Sequence, residues 1–188
     1  MELQGERLIP ASVDTTWASL NDPEVLKACI AGCESLDRTG DDSLTAVVAL
    51  KVGPVSARFK GNLKMTNVQP PSGYTINFDG QGGVAGFGKG SADVALTAEG
   101  TQTRLKYNAR AQVGGKMAQV GSRLIDAAAG KITEDFFKAF EAHLQANAAP
   151  AGAVPALPVA TAADGGIAKV WWLIGAMVLL AILYFVIR

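Results

Sequence analysis

The feature that most constrains how this chain folds is an unbroken alternation of apolar or small and polar residues from Val55 to Thr66. Val55, Ala57, Phe59, Gly61, Leu63 and Met65 fall on one side, and Ser56, Arg58, Lys60, Asn62, Lys64 and Thr66 on the other. A period of two suits a strand with one dry face, whereas a helix would scatter the same residues around its axis. The same rhythm places Leu44, Ala46, Val48 and Leu50 inward, then Tyr74, Ile76 and Phe78, then Ala92, Val94, Leu96 and Ala98, then Leu105, Tyr107, Ala109, Ala111 and Val113. Turn signals at Gly53-Pro54, Pro70 to Gly73 and Glu99-Gly100 separate these runs at hairpin distances. The expectation is an antiparallel meander with one wet side.

Helices flank the meander. Asp14 to Ile30 reads as two short helices broken at Asn21-Asp22-Pro23, where proline suits a first helical turn. From Lys116 to Gln145 a stripe of Met117, Val120, Leu124, Ala128, Ile132, Phe136, Phe140 and Leu144 predicts one long amphipathic helix over the dry face. Helices segregated to one face of an antiparallel sheet make the domain α+β. Gly121, Ala127, Ala128, Ala129 and Gly130 put small residues where bulk would add packing. They mark either tight contact with the sheet or short helices, or room for a ligand.

Past this domain, 1–146, the composition changes. Asn147 to Gly166 is built of Ala, Pro, Gly and other small residues without periodicity, so 147–168 reads as a flexible tether. Val170 to Ile187 carries no charge. Those roughly eighteen residues, at ~1.5 Å rise each, span ~27 Å, which suits one bilayer crossing. Lys169 and Arg188 bracket the run, and Trp171, Trp172 and Tyr184 lie near its ends, so 169–188 is expected to be a single-pass transmembrane helix. Met1 to Pro10 lacks a basic stretch followed by an apolar one, so the soluble domain is expected in the cytoplasm, anchored to the cell inner membrane.

The residues offer little chemistry. Lys plus Arg and Asp plus Glu both total 17, so no net field favours nucleic acid. Cys29 and Cys33, reachable on neighbouring helical turns, read as small core residues, and His143 is too distant to complete a metal site with them. Gly83 to Ser91, GVAGFGKGS, resembles a phosphate loop but has Gly90 after Lys89 and precedes a strand. It reads as either a rigid turn or a pliable flap carrying Val84 and Phe87. The inward positions above include no Asp, Glu, His, Lys or Arg; Tyr74 and Tyr107 are their polar handles. No catalysis is expected from them. Arg58, Lys60, Lys64, Arg104, Lys106 and Arg110 occupy outer faces, either in solvated cross-strand pairs or as a docking patch.

Two segments carry a family likeness: LNDPEVLKACIAGCESL from Leu20 to Leu36 and GGKMAQVGSRLIDAAAGKITEDFFKAF from Gly114 to Phe140. With KVGPVSARFKGNLKM (Lys51 to Met65) and GKGSADVAL (Gly88 to Leu96), they resemble the G-subunit family of carbon monoxide dehydrogenase. The resemblance implies the helix-grip fold of the START-like (SRPBCC) superfamily, a cavity for apolar ligands, and carbon monoxide dehydrogenase, a molybdenum hydroxylase, as partner. The expected function is a non-catalytic accessory subunit that couples the enzyme to the membrane quinone pool in electron transport. Its ligand would be menaquinone or ubiquinone, held among Phe59, Leu63, Phe78, Val84, Phe87, Tyr107, Met117, Gly121, Leu124, Ile125 and Ala128. The alternative is a recruitment or assembly factor without a ligand.

Overall fold

The computed structural model describes residues 1–147. Seven strands, β1 (Glu2–Ile9), β2 (Cys33–Gly40), β3 (Ser43–Val52), β4 (Val55–Gln69), β5 (Gly73–Gln81), β6 (Phe87–Glu99) and β7 (Gln102–Gly114), form one sheet. Its order is β1-β7-β6-β5-β4-β3-β2, antiparallel throughout. Short hairpins join β2 to β7 in sequence. The connection from β1 to β2 instead crosses the sheet from one edge to the other, and it carries helices α1 (Val13–Leu20) and α2 (Pro23–Cys29).

Both short helices start on sequence signals that the structure uses. The Ser12 hydroxyl accepts from the Thr15 amide at 3.3 Å, and the Asp22 carboxylate accepts from the Glu24 amide at 2.9 Å with Pro23 behind it. Each cap satisfies an amide with no partner inside its helix, an effect of about 1 kcal/mol. A last helix, α3 (Ser122–Asn147), closes the domain. Its C-terminal half drives Phe137, Phe140 and Leu144 into a core with Ile9, Leu20, Val25, Cys29, Leu96 and Leu105. A second cluster, Leu36, Leu44, Ala46 and Met65, lies toward β2 with Leu26 of α2 against it. The curved sheet gripped by a C-terminal helix is the expected START-like α+β arrangement.

Several elements differ from the sequence reading. The long helix does not begin at Lys116: Gly115–Val120 is a 3-10 turn, and Gly121 breaks the chain with φ +95° before α3 starts. Cys29 ends α2 and Cys33 opens β2, so the two do not occupy neighbouring helical turns. Cys33 to Gly40, not read as a strand, pairs with β3 despite two irregularities in register. That irregularity, and charges at Glu34, Asp37 and Arg38, hide its period. No described helix is long and apolar enough to cross a membrane. The tether and the transmembrane segment expected at 169–188 lie outside the described residues, and α3 itself runs to Asn147.

Candidate ligand groove

Strand register assembles a trough on the inner face of the sheet. Ala46 pairs with Gly61, Gly61 with Gly80, Gly80 with Gly88, and Gly88 with Val113. Three adjacent strands therefore contribute glycine to one rung. A Cβ at Gly88 would meet nothing within 4 Å, and one at Gly80 nothing nearer than 3.8 Å. Glycine inside a strand sacrifices packing and often marks a close approach by another group. The neighbouring rungs are tall: Leu63 pairs with Phe78, whose ring lies over Gly90, and the Phe59 ring covers Gly82.

Above this floor, the N-terminal half of α3 packs more loosely than the C-terminal half, and the buried residues of the helix, Phe137, Phe140 and Leu144, all lie in the latter. A Cβ on Gly130 would meet nothing within 4 Å, so the small residue at that position is not accommodating a tight contact. Ala128, Ala129 and Gly130 are half-buried, Leu124 is 48% exposed and Ile132 is 36% exposed. The sheet-facing stripe runs through Ile125, Ala129, Thr133, Phe137, Phe140 and Leu144. The sequence reading followed a strict four-residue step, which drifts around a helix of 3.6 residues per turn and carries Leu124 and Ile132 off the core. On the inner face Phe59, Phe78, Ala109 and Ala111 stay only half-buried, as do Leu63, which packs against the second core cluster, and Tyr107, which packs against the first.

The proposed site residues divide accordingly. Phe59, Leu63, Phe78 and Tyr107 share the inner face, Ile125 and Ala128 lie on α3, and Met117 is buried in the 3-10 turn. Tyr107 packs on Phe137 with centroids 5.5 Å apart. Leu124 sits at the rim beside Gly53. Three residues are misplaced. Val84 is 85% exposed at the tip of the turn Gly83–Ala85 and covers nothing. Phe87 pairs with Gln81 and Gly114 on the outer face, where its ring lies over Gly114, because the strand resumes one residue out of phase with the inward set. Gly121 lies at the helix break, exposed, with its positive φ as its structural requirement.

One ionisable inward residue lies on β1, outside the alternating runs from Leu44 to Val113. The pairing of Arg7 with Leu105 and of Gly5 with Tyr107 places Arg7 on the inner face, one step from Tyr107. Its guanidinium donates to Glu134 of α3 and rides 5.6 Å from the Phe137 ring centroid. Alternation of Leu3, Gly5, Arg7 and Ile9 was the available signal. Elsewhere burial pushes the Tyr74 hydroxyl up to about 12 and raises the Cys29 and Cys33 thiols, so all three are neutral near pH 7. Tyr74 is no handle in the groove: it packs edge-on against Trp17 beneath α1.

Two other concavities differ in character. An enclosed apolar cavity under α1 and α2, lined by residues such as Leu26, Leu44, Leu63, Tyr74 and Ile76, measures about 40 Å³. Ligand sites usually need ~300 Å³ or more, so the organic ligand expected from the sequence does not fit there. A shallow dish of about 900 Å³ on the outer face is bordered by Asn77, Asp79, Lys89, Arg110 and Gln112. It is open, and its border mixes charged and apolar residues. The outer cations partly pair across strands, Arg58 with Glu34, Arg110 with Glu2, and Arg104 with both Glu6 and Glu99. Among the described residues, no three His, Cys, Asp or Glu side chains gather to hold a metal.

The fold and sequence have known counterparts. A conserved protein from Geobacillus kaustophilus is 30% identical, with a TM-score of 0.73 over 78% of this chain and 96% of its own. A START superfamily protein from Mycobacterium smegmatis aligns with a TM-score of 0.58 at 17% identity, covering 77% of this chain and 97% of its own. The Zhui aromatase/cyclase from Streptomyces sp. R1128 aligns at 0.56 and 13% identity over 81% and 98%. At these last two identities the likeness shows fold alone. No curated protein matches the chain. The family model for CoxG, the G-subunit of carbon monoxide dehydrogenase, matches residues 5–145, all but the two ends of the sheet and helix assembly that forms the groove, and the chain therefore belongs to that family.

Proposed function

We propose that this protein is a non-catalytic accessory subunit of carbon monoxide dehydrogenase that carries a membrane quinone, menaquinone or ubiquinone, in the groove between the glycine rung and α3. The observation behind this reading is an apolar inner face left half-buried beneath a helix segment of small residues. Folding normally covers such surface at ~25 cal/mol per Å², so leaving it open suits an apolar occupant. An uncharged run at 170–187 on a tether would keep the groove near the lipid phase on the cytoplasmic side of the inner membrane. Membrane, quinone and the molybdenum hydroxylase are thus the three proposed partners.

The test is lipid analysis of the full chain purified from membranes in mild detergent. Stoichiometric quinone by mass spectrometry, with saturable rebinding after stripping, is expected; the absence of both co-purification and rebinding overturns the reading. The small enclosed cavity favours a second one, recruitment of the dehydrogenase without cargo. Ala128 lies off the sheet-facing stripe of α3, whereas Ala129→Leu, on that stripe, separates them. For a carrier it diminishes electron transfer to quinone and leaves recruitment intact; for a recruiter it leaves both unchanged. Gly121→Leu cannot serve, because it strains a positive-φ position outside the groove.

A further inference from the structure

The groove has a polar end. Beyond Gly130 toward the C-terminus, α3 closes onto the sheet, and the Arg7 and Glu134 ion pair stands where the looser half meets the packed half. Arg7 is 31% exposed and spends its one hydrogen bond among the described residues on Glu134, leaving other guanidinium donors for a ligand. The Tyr107 ring lies over Gly5, whose missing side chain admits it, and its hydroxyl makes no hydrogen bond among the described residues. Phe137 lies against both side chains and fixes them as one unit.

We infer that Arg7 and Tyr107 form a donor pair that selects the ligand head, and that the head is a neutral carbonyl rather than a carboxylate. This rests on the carrier reading above. An apolar floor binds any hydrocarbon tail equally well, so discrimination falls to the polar end. Glu134 already neutralises Arg7. A second carboxylate beside it would meet a like charge, which disfavours fatty acids, whereas a quinone carbonyl accepts hydrogen bonds without adding charge. Glu134 therefore acts as the element that rejects anions, and the guanidinium as the element that recruits oxygen acceptors.

The experiment measures binding of decylubiquinone and of decanoate to the full chain in detergent, at pH 7.5 and low salt. The unsubstituted chain should bind the quinone at least tenfold more tightly. Arg7→Leu should weaken quinone binding about tenfold or more, and Tyr107→Phe about threefold or more, as expected for one lost hydrogen bond each. Arg7→Lys should recover part of the loss. Glu134→Gln should leave quinone binding within about threefold and strengthen decanoate binding about tenfold. This last arm gains a function, so misfolding cannot mimic it. Quinone affinity indifferent to Arg7→Leu in a folded variant, or decanoate affinity unmoved by Glu134→Gln, overturns the inference and leaves the carrier reading standing. An unsubstituted chain that binds neither probe removes the carrier reading itself.

Discussion

Tyr74 shows how a residue in the core can report on stability. Its hydroxyl titrates near 12 in the fold because burial penalises the phenolate, and near 10 once unfolded. Between those values the unfolded chain has released a proton that the native chain keeps, so stability is complete below about pH 10 and falls as pH rises toward 12. The full loss is about 2 to 3 kcal/mol. Tyr74→Phe should flatten that decline, measured by urea unfolding at about pH 9 and 11.5; an unchanged slope would show that Tyr74 is not the titrating group. At this scale the sequence was legible where alternation held, at Phe59, Leu63, Phe78 and Tyr107. It failed at Phe87, because a turn can resume on either face and only pairing with Gln81 and Gly114 decides which. Val84 was misread for a different reason: apolar character does not ensure burial at a loop tip.

Among the elements, α3 is the one whose parts do different work. Its C-terminal half is held by residues such as Phe140, 0% exposed, while its N-terminal half leaves Leu124 and Ile132 exposed. Two glycines in or beside that half should respond oppositely to alanine. Gly130 is helical with open space at its Cβ, so Gly130→Ala should stabilise the domain by ~0.5 to 1 kcal/mol through helix propensity. Gly121 holds φ +95°, so Gly121→Ala should cost about 1 kcal/mol or more even though its surroundings are empty. Thermal melts of both variants check the pair; equal signs would mean that the helix break is misplaced. The capped starts of α1 and α2 were readable from Ser12 and Asp22-Pro23, because capping depends on neighbours in sequence. The break at Gly121 was not, because helical spacing of Met117 and Val120 also fits a 3-10 turn at the groove's end.

At the scale of the molecule, residues 1–147 contain their own sheet, helices and two core clusters, so this portion alone should unfold in one cooperative transition. The full chain should sediment with membranes and resist alkaline carbonate, whereas 1–147 should remain soluble; a full chain released by carbonate would contradict the anchor. Local information was enough for the strands that alternate cleanly, though not for β2, and for the short helices, the α+β class and the family, since a period of two, a capping residue or a familiar segment needs only nearby residues. Where the groove lies was decided by tertiary structure. Gly61, Gly80 and Gly88 are separated in sequence and become one rung only when three strands pair in register, and Arg7 meets Glu134 only when the first strand and last helix come together. Pairing register and helix docking depend on distant parts of the chain, so a linear reading could identify the walls of the site without finding its floor or its polar end.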